Sequence, residues 1–213
     1  MYRPTHFEEN RPEVLHALVQ AHPLGQLVTH GPEGLDANPI PFELDTAAAP
    51  NGLLRAHVAR ANPVWQQAAG TEVLVIFQAA DGYISPHWYP SKPEHHRHVP
   101  TWNYAVVHAH GVLRVHDDER YLRGLVARLT REHEARSQQP RPWKMGDAPA
   151  DYIDSMLKMI VGIEIGITRL VGKFKLGQNR EARDRLGAAA GLEGLGQTAL
   201  AQAMRNAGPD AGR

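Results

Sequence analysis

The sequence predicts an antiparallel α+β fold, a small β-barrel with helices on its ends. Three observations lead there. Period-two apolar runs recur at short spacing with hairpin-type connections, as antiparallel strands require. No Gly-x-Gly-x-x-Gly follows a strand and no Walker-A loop is present, so the parallel nucleotide-binding folds lack their signature. Helical patterns sit at the start, middle and end of the chain instead of alternating with each strand. No internal repeat is visible.

The elements follow in order. Asn10 is a candidate helix cap with Pro12 in the first turn, and Val14, Leu15, Leu18 and Val19 recur at helical spacing. His22-Pro23 ends that helix. "LGQLVTHG" reads as a strand closed by Gly31-Pro32, and "LDANPIPFEL" as a second short strand whose prolines suit an edge or bulge. "GLLRAHVA" alternates and gives a third. Asn62-Pro63 starts the short helix "NPVWQQAA", and "TEVLVIFQA" is the clearest buried strand. Asp81-Gly82 marks a turn. "VPTWNYAVVHAHGVLRVH" is a long strand with a bend at Gly111. Asp117-Asp118 starts an acidic-first helix reaching about Glu134, and "ARSQQPRPWKMGDAP" is a polar linker. "DYIDSMLKMI" is a short helix and "VGIEIGITRLVGKFKLGQ" is β-like. The tail "REARDRLGAAAGLEGLGQTALAQAMRNAG" gives one or two helices, and "PDAGR" frays. Residues 1–180 are thus expected to form the barrel domain. Residues 181–213 form a helical tail packed on it or extending from it.

Composition bounds the chemistry. The chain has 213 residues, 42% of them apolar, enough for a proper core. The absence of cysteine excludes disulfides, thiolate catalysis and cysteine-held zinc or iron–sulfur sites. Lysine plus arginine equals aspartate plus glutamate at 23 each, so there is no bulk attraction to nucleic acid or anionic membrane. "MYRPTHFEENRPEV" lacks the apolar core of a secretory signal. The longest apolar stretch, near "MLKMIVGIEIGI", carries Lys158 and Glu164 and is too short to span a bilayer. The expectation is a soluble, cytoplasmic protein with no membrane partner.

Four stretches carry candidate chemistry. There are 13 histidines, among them His108 and His110 on one face of a strand and His95, His96 and His98 in a loop. Imidazoles are common metal ligands, but no His-Glu-x-x-His or facial-triad spacing is present, so no metal site is assigned. "RAHVARANP" places His57, Arg60 and Asn62 where a strand runs into a helix start. That is either a phosphate pocket or a capped helix with a solvated arginine. "VGKFKLGQNR" puts Lys173 and Lys175 on one strand face, either an anion site or a basic edge that discourages aggregation. "SPHWYPSKPEHHRHVPTWNY" gathers Trp88, Tyr89, Trp102 and Tyr104. These rings suit a flat ring system, a nucleobase, or packing at a barrel rim. Asn103 points opposite to its two aromatic neighbours and offers an acceptor and two donors to a heterocycle edge.

Taken together, "MYRPTHF", "NPIPF", "HVARANP", "ISPHWYPSK", "VPTWNY" followed by "VHAHG", and "GKFKLGQN" occur in an order that resembles the PaiB-like family. Its members are called FMN-binding negative transcriptional regulators, and the resemblance covers most of the chain. It implies an antiparallel split β-barrel like that of pyridoxamine-phosphate oxidases and flavin reductases, with two protomers forming a homodimer around FMN in a groove between them. Carried over motif by motif, it implies His57, Arg60 and Asn62 near the phosphate or ribityl chain, with Ser91 and Lys92 also at the phosphate. Thr101, Trp102 and Asn103 would line the isoalloxazine. Lys173, Lys175 and Gln178 would complete the site, from the same or the other protomer. Gly177 stands where many relatives have serine.

The resemblance implies a dimeric repressor or redox-responsive factor, with DNA as a possible partner. No confident helix-turn-helix supports DNA binding from the residues themselves. The alternatives are a flavin-dependent oxidoreductase using FMN and NAD(P)H, with His57 or His108 as a proton donor, and a haem-binding or haem-degrading protein. No residue declares itself catalytic.

Overall fold

The computed structural model describes residues 1–48 and 50–208. The fraying expected for "PDAGR" lies outside the described residues. Among the described residues, eight strands form one sheet: β1 (Glu8–Glu9), β2 (Leu24–Gly31), β3 (Gly34–Pro41), β4 (Glu43–Asp45), β5 (Leu53–Ala59), β6 (Glu72–Ile84), β7 (Thr101–His116) and β8 (Ile160–Lys175). The order is β3-β2-β6-β7-β8-β5-β4, with β1 on β8. The sheet is antiparallel, of split-barrel type and not closed, as the hairpin-type spacing required. Seven α-helices accompany it among the described residues: α1 (Pro12–Ala21), α2 (Val64–Gln67), α3 (Lys92–His95), α4 (Glu119–Arg136), α5 (Ala150–Leu157), α6 (Ala182–Gly194) and α7 (Thr198–Asn206).

The chain divides into two compact units. The first comprises residues 1–22, 77–108 and 171–208 of the described chain, the second residues 23–76 and 109–170. In the second unit, β2 and β3 pair along their whole length from Leu24↔Pro41 to Gly31↔Gly34. β5 pairs β8 from Leu53↔Gly166 to Ala59↔Ile160. Alternation sends Leu54, Ala56 and Val58 of β5 inward, each buried. Leu122, Leu125 and Leu129 of α4 recur at helical spacing and are buried as well. In the first unit, α6 and α7 build a core of their own. Ala188, Ala189, Leu192, Leu200 and Met204 pack with Ile84 of β6 and with Tyr89.

Two local expectations are corrected. Asp81-Gly82 makes no turn: β6 continues through both to Ile84. A side chain at Gly82 would put a Cβ 2.5 Å from Gln197 Oε1 and 2.9 Å from Leu200. The glycine serves close approach of the helices, not a reversal, and Asp-Gly cannot distinguish the two needs. Gly111, where a bend is expected, lies inside a continuous strand. β7 runs through it, and a Cβ there would fall 2.2 Å from the Gly166 carbonyl oxygen. Asn10 does not cap α1. Arg11 occupies that position, and the buried Glu9 carboxylate accepts from its backbone N–H at 3.0 Å. Asn10 instead accepts from Arg3.

Candidate functional site

In the second unit, the end of β5 delivers His57, Arg60 and Asn62, but their polar groups are engaged in structure or buried. Arg60 grips Asp117 with two hydrogen bonds, 2.8 and 2.6 Å, and donates to the carbonyls of Lys158 and Ile160. Asn62 accepts from the Val64 N–H, closing the start of α2, and donates to Asn38 at 2.9 Å. Burial pushes the His57 imidazole below its ordinary pKa, and its Nδ1 has no hydrogen-bond partner. A neutral imidazole is a poor proton donor at pH 7. The stretch is thus a capped helix start with a paired arginine.

In the first unit, two neighbouring sequence stretches and a third far along the chain converge on one cavity of about 190 Å³. "WYPSK" gives Tyr89, "VPTWNY" gives Thr101 and Asn103, and "GKFKLGQN" gives Lys175, Gly177 and Asn179. Arg180 and Arg185 complete the cationic lining, which contains no carboxylate. Strand alternation explains Thr101 and Asn103: they share a face of β7, and Asn103 is 3% exposed. The Lys175 ammonium donates to the Thr101 hydroxyl. Burial holds its pKa below that of an ordinary lysine, and the charges of Lys173 and Arg180 push the same way. The Arg180 guanidinium lies 5.3 Å above the Tyr89 ring. Burial raises the Tyr89 phenol, keeping it protonated.

Behind that lining sits a buried polar cluster. The Ser91 hydroxyl donates to Asp184 at 2.6 Å and lies 2.7 Å from His98 Nε2. The Ser91 N–H gives Asp184 a second bond at 3.0 Å. Burial works to raise the Asp184 carboxyl, but the Ser91 bonds and the nearby His98 outweigh it and hold the pKa below the ordinary value. This is not a nucleophile–base–orienter chain, because the serine bonds both partners itself. It ties "WYPSK" to α6. The grouped histidines differ in exposure, although the rings of His95 and His98 lie only 4.7 Å apart. His98 is buried in this cluster, whereas His95 and His96 are exposed, and His96 turns with φ at 53°. No three-residue metal cluster occurs among the described residues.

The remaining predicted residues lie elsewhere. Trp102 points to the opposite face of β7 from Asn103 and is 54% exposed. It meets Tyr83 edge-on at 6.2 Å and lines a shallow hollow with Gln78, Asp81 and Tyr104. Lys173 sits 5.5 Å from the Tyr104 ring and 5.6 Å from that of Tyr2. Lys92 Nζ lies 3.0 Å from His87 Nδ1. Gln178 closes the turn after β8, accepting from Leu176 N–H and donating to the Phe174 carbonyl. Of the cavity's arginines, Arg180 is the last residue of "VGKFKLGQNR", where it adds to the positive charge of that stretch. Sequence reasoning missed Arg185, which lies in α6 beyond every stretch singled out for its chemistry.

Comparison with known proteins matches residues 1–169 to the family described as "Putative FMN-binding domain". The chain is similar to an uncharacterised protein of Emericella nidulans, 34% identical over 93% of each chain. It is also similar to the Bacillus subtilis "Protease synthase and sporulation protein PAI 2", 30% identical over 86% of this chain and 85% of that one. Among solved structures, the "FAD and Heme binding protein from Mycobacterium smegmatis" shares the fold, with TM-score 0.55 and 18% identity. It covers 80% of this chain and 74% of that chain.

Proposed function

The chain belongs to the PaiB-like family of FMN-binding split-barrel proteins, and from that premise we propose that it binds FMN. On this reading it works as a cytoplasmic homodimer that regulates transcription negatively in response to its flavin. One observation carries the flavin reading. "WYPSK", "VPTWNY" and "GKFKLGQN" converge on a polar, cationic cavity without a carboxylate. That donor set suits the anionic and hydroxylated end of FMN. At about 190 Å³ the cavity is smaller than the roughly 300–1,000 Å³ of pockets that enclose a whole ligand. It therefore takes one end of the cofactor, held by Thr101, Asn103 and Lys175. The exposed aromatic face of Trp102, Tyr83 and Tyr104 lies on the other side of β7. Stacking on it is left to a molecule presented from outside, which fits a flavin shared between protomers. When bound, FMN supplies hydride and electron transfer, and the protein's part is to hold and orient it.

The test is the visible spectrum of the purified protein, followed by FMN titration. Flavin bands, or saturable uptake at micromolar FMN, are the expected result. Failure of both would overturn the reading. With FMN bound, salt-sensitive and sequence-selective promoter binding supports the regulator. Bleaching of the flavin by NAD(P)H assigns the oxidoreductase instead, and a Soret band on adding haem assigns the haem reading.

A further inference from the structure

Arg185 is the first unit's unexplained charge. It sits in the first turn of α6 and is 6% exposed. Its Nε has no hydrogen-bond partner, and no ion pair to its guanidinium occurs among the described residues. The adjacent carboxylate, Asp184, is turned to Ser91 and His98 instead. A buried cation without a counter-charge is costly, because neither water nor a partner compensates its desolvation. A ligand anion that reached it would supply the missing counter-charge.

The surroundings say which ligand. The same cavity is lined by Lys175 and Arg180, and no carboxylate offsets the three cations. The Thr101 hydroxyl and the Asn103 amide add neutral hydrogen-bonding groups. A guanidinium fork matches the paired oxygens of a phosphate, and three cations are better balanced by a dianion than by a monoanion. Gly177 belongs to the arrangement. Its φ is 87°, and a Cβ there would press on Arg185 Cγ at 3.3 Å.

We propose that Arg185, with Arg180 and Lys175, forms a binding site for a phosphate monoester dianion in the first unit. The phosphate is either that of FMN itself or that of a separate phosphorylated small molecule. Both present the same terminal dianion. The inference stands on the cavity alone. A protein that takes up phosphate and not FMN would end the flavin reading and leave this site in place.

The experiment follows inorganic phosphate binding to the full chain by calorimetry and by melting temperature in phosphate-free buffer. Chloride at matched ionic strength controls for screening. Wild type is expected to show saturable binding and a melting temperature that rises with phosphate but not with chloride. Arg185→Met is expected to lose at least tenfold in phosphate affinity while melting at or above the wild-type temperature without phosphate, since it removes an uncompensated charge. Arg185→Lys is expected to fall between. Equal responses to phosphate and chloride would overturn the proposal, as would unchanged phosphate affinity in Arg185→Met. Competition assigns the source. FMN displacing phosphate, with Arg185→Met weakening FMN and not riboflavin, identifies the cofactor's own phosphate. Phosphate uptake undisturbed by saturating FMN identifies a separate phosphorylated ligand.

Discussion

Arg60 and Arg185 make opposite use of the same side chain. Arg60 follows β5 in a stretch that reads as either a phosphate pocket or a capped helix with a solvated arginine, and it spends its donors on Asp117 and two carbonyls. Arg185 lies beyond every stretch singled out for its chemistry, yet it is buried beside a carboxylate-free cavity with an orphaned Nε. A cation's availability therefore depends on which acceptors the fold brings to it, not on the motif that carries it. Arg60's acceptors come from 57 to 100 residues away in the chain. Asp184, the carboxylate nearest Arg185 in sequence, is taken by Ser91, 93 residues distant.

The largest expected effect comes from disturbing the polar cluster behind the cavity. Asp184→Ala strands the buried Ser91 N–H and hydroxyl, each left without its carboxylate. The loss should be about 1–3 kcal/mol in denaturant unfolding. If the variant is as stable as wild type, the cluster does not hold α6 in place. Next comes Gly177→Ala. A φ of 87° disfavours any Cβ and should cost about 1–2 kcal/mol. The same change should also weaken ligand uptake through pressure on Arg185. Unchanged stability and uptake together would show that a side chain fits here without strain.

Asp117→Ala tests the other arginine. It frees the Arg60 fork at an exposed pair, so only a small, salt-sensitive drop in melting temperature is expected. FMN uptake should not change. A loss of FMN binding as large as that from Trp102→Ala would return "HVARANP" to the site.

pH sharpens the second unit's side of the contrast. The His57 pKa is depressed by burial in the folded protein. The unfolded chain therefore binds the proton more readily, and stability falls as pH drops from about 6.5 through the folded value. Above that window His57 adds no pH dependence. His57→Gln should flatten this part of an unfolding-free-energy profile measured from pH 5 to 8, and an unchanged slope would refute the assignment. The smallest stability effect is expected at Trp102. Trp102→Ala should stay within about 0.5 kcal/mol, as for other exposed positions, yet weaken FMN retention. His95→Ala and His96→Ala should alter neither. A reversed pattern would point to a histidine-based site.

Much of the fold was legible because alternation and helical spacing are local. "LGQLVTHG" became β2 residue for residue, and the acidic start at Asp118 became the cap of α4, its carboxylate accepting from Tyr121 N–H. Glycine misled at Asp81-Gly82. The sequence shows that a side chain is missing, not whether a turn or a neighbouring element required it. Of the candidate site, Thr101, Asn103 and Lys175 came together. Trp102 could not join Asn103 on one face, because adjacent strand residues point opposite ways.

By itself the sequence determined the antiparallel strands, the helix positions and the family, all written in residue order and short-range periodicity. The tertiary structure alone decided which cations are paired and which are left facing a cavity. That outcome depends on carboxylates and carbonyls arriving from distant parts of the chain, and on the cost of burying a charge whose partner does not arrive. Arg60 met its partners; Arg185 was left for a ligand to complete.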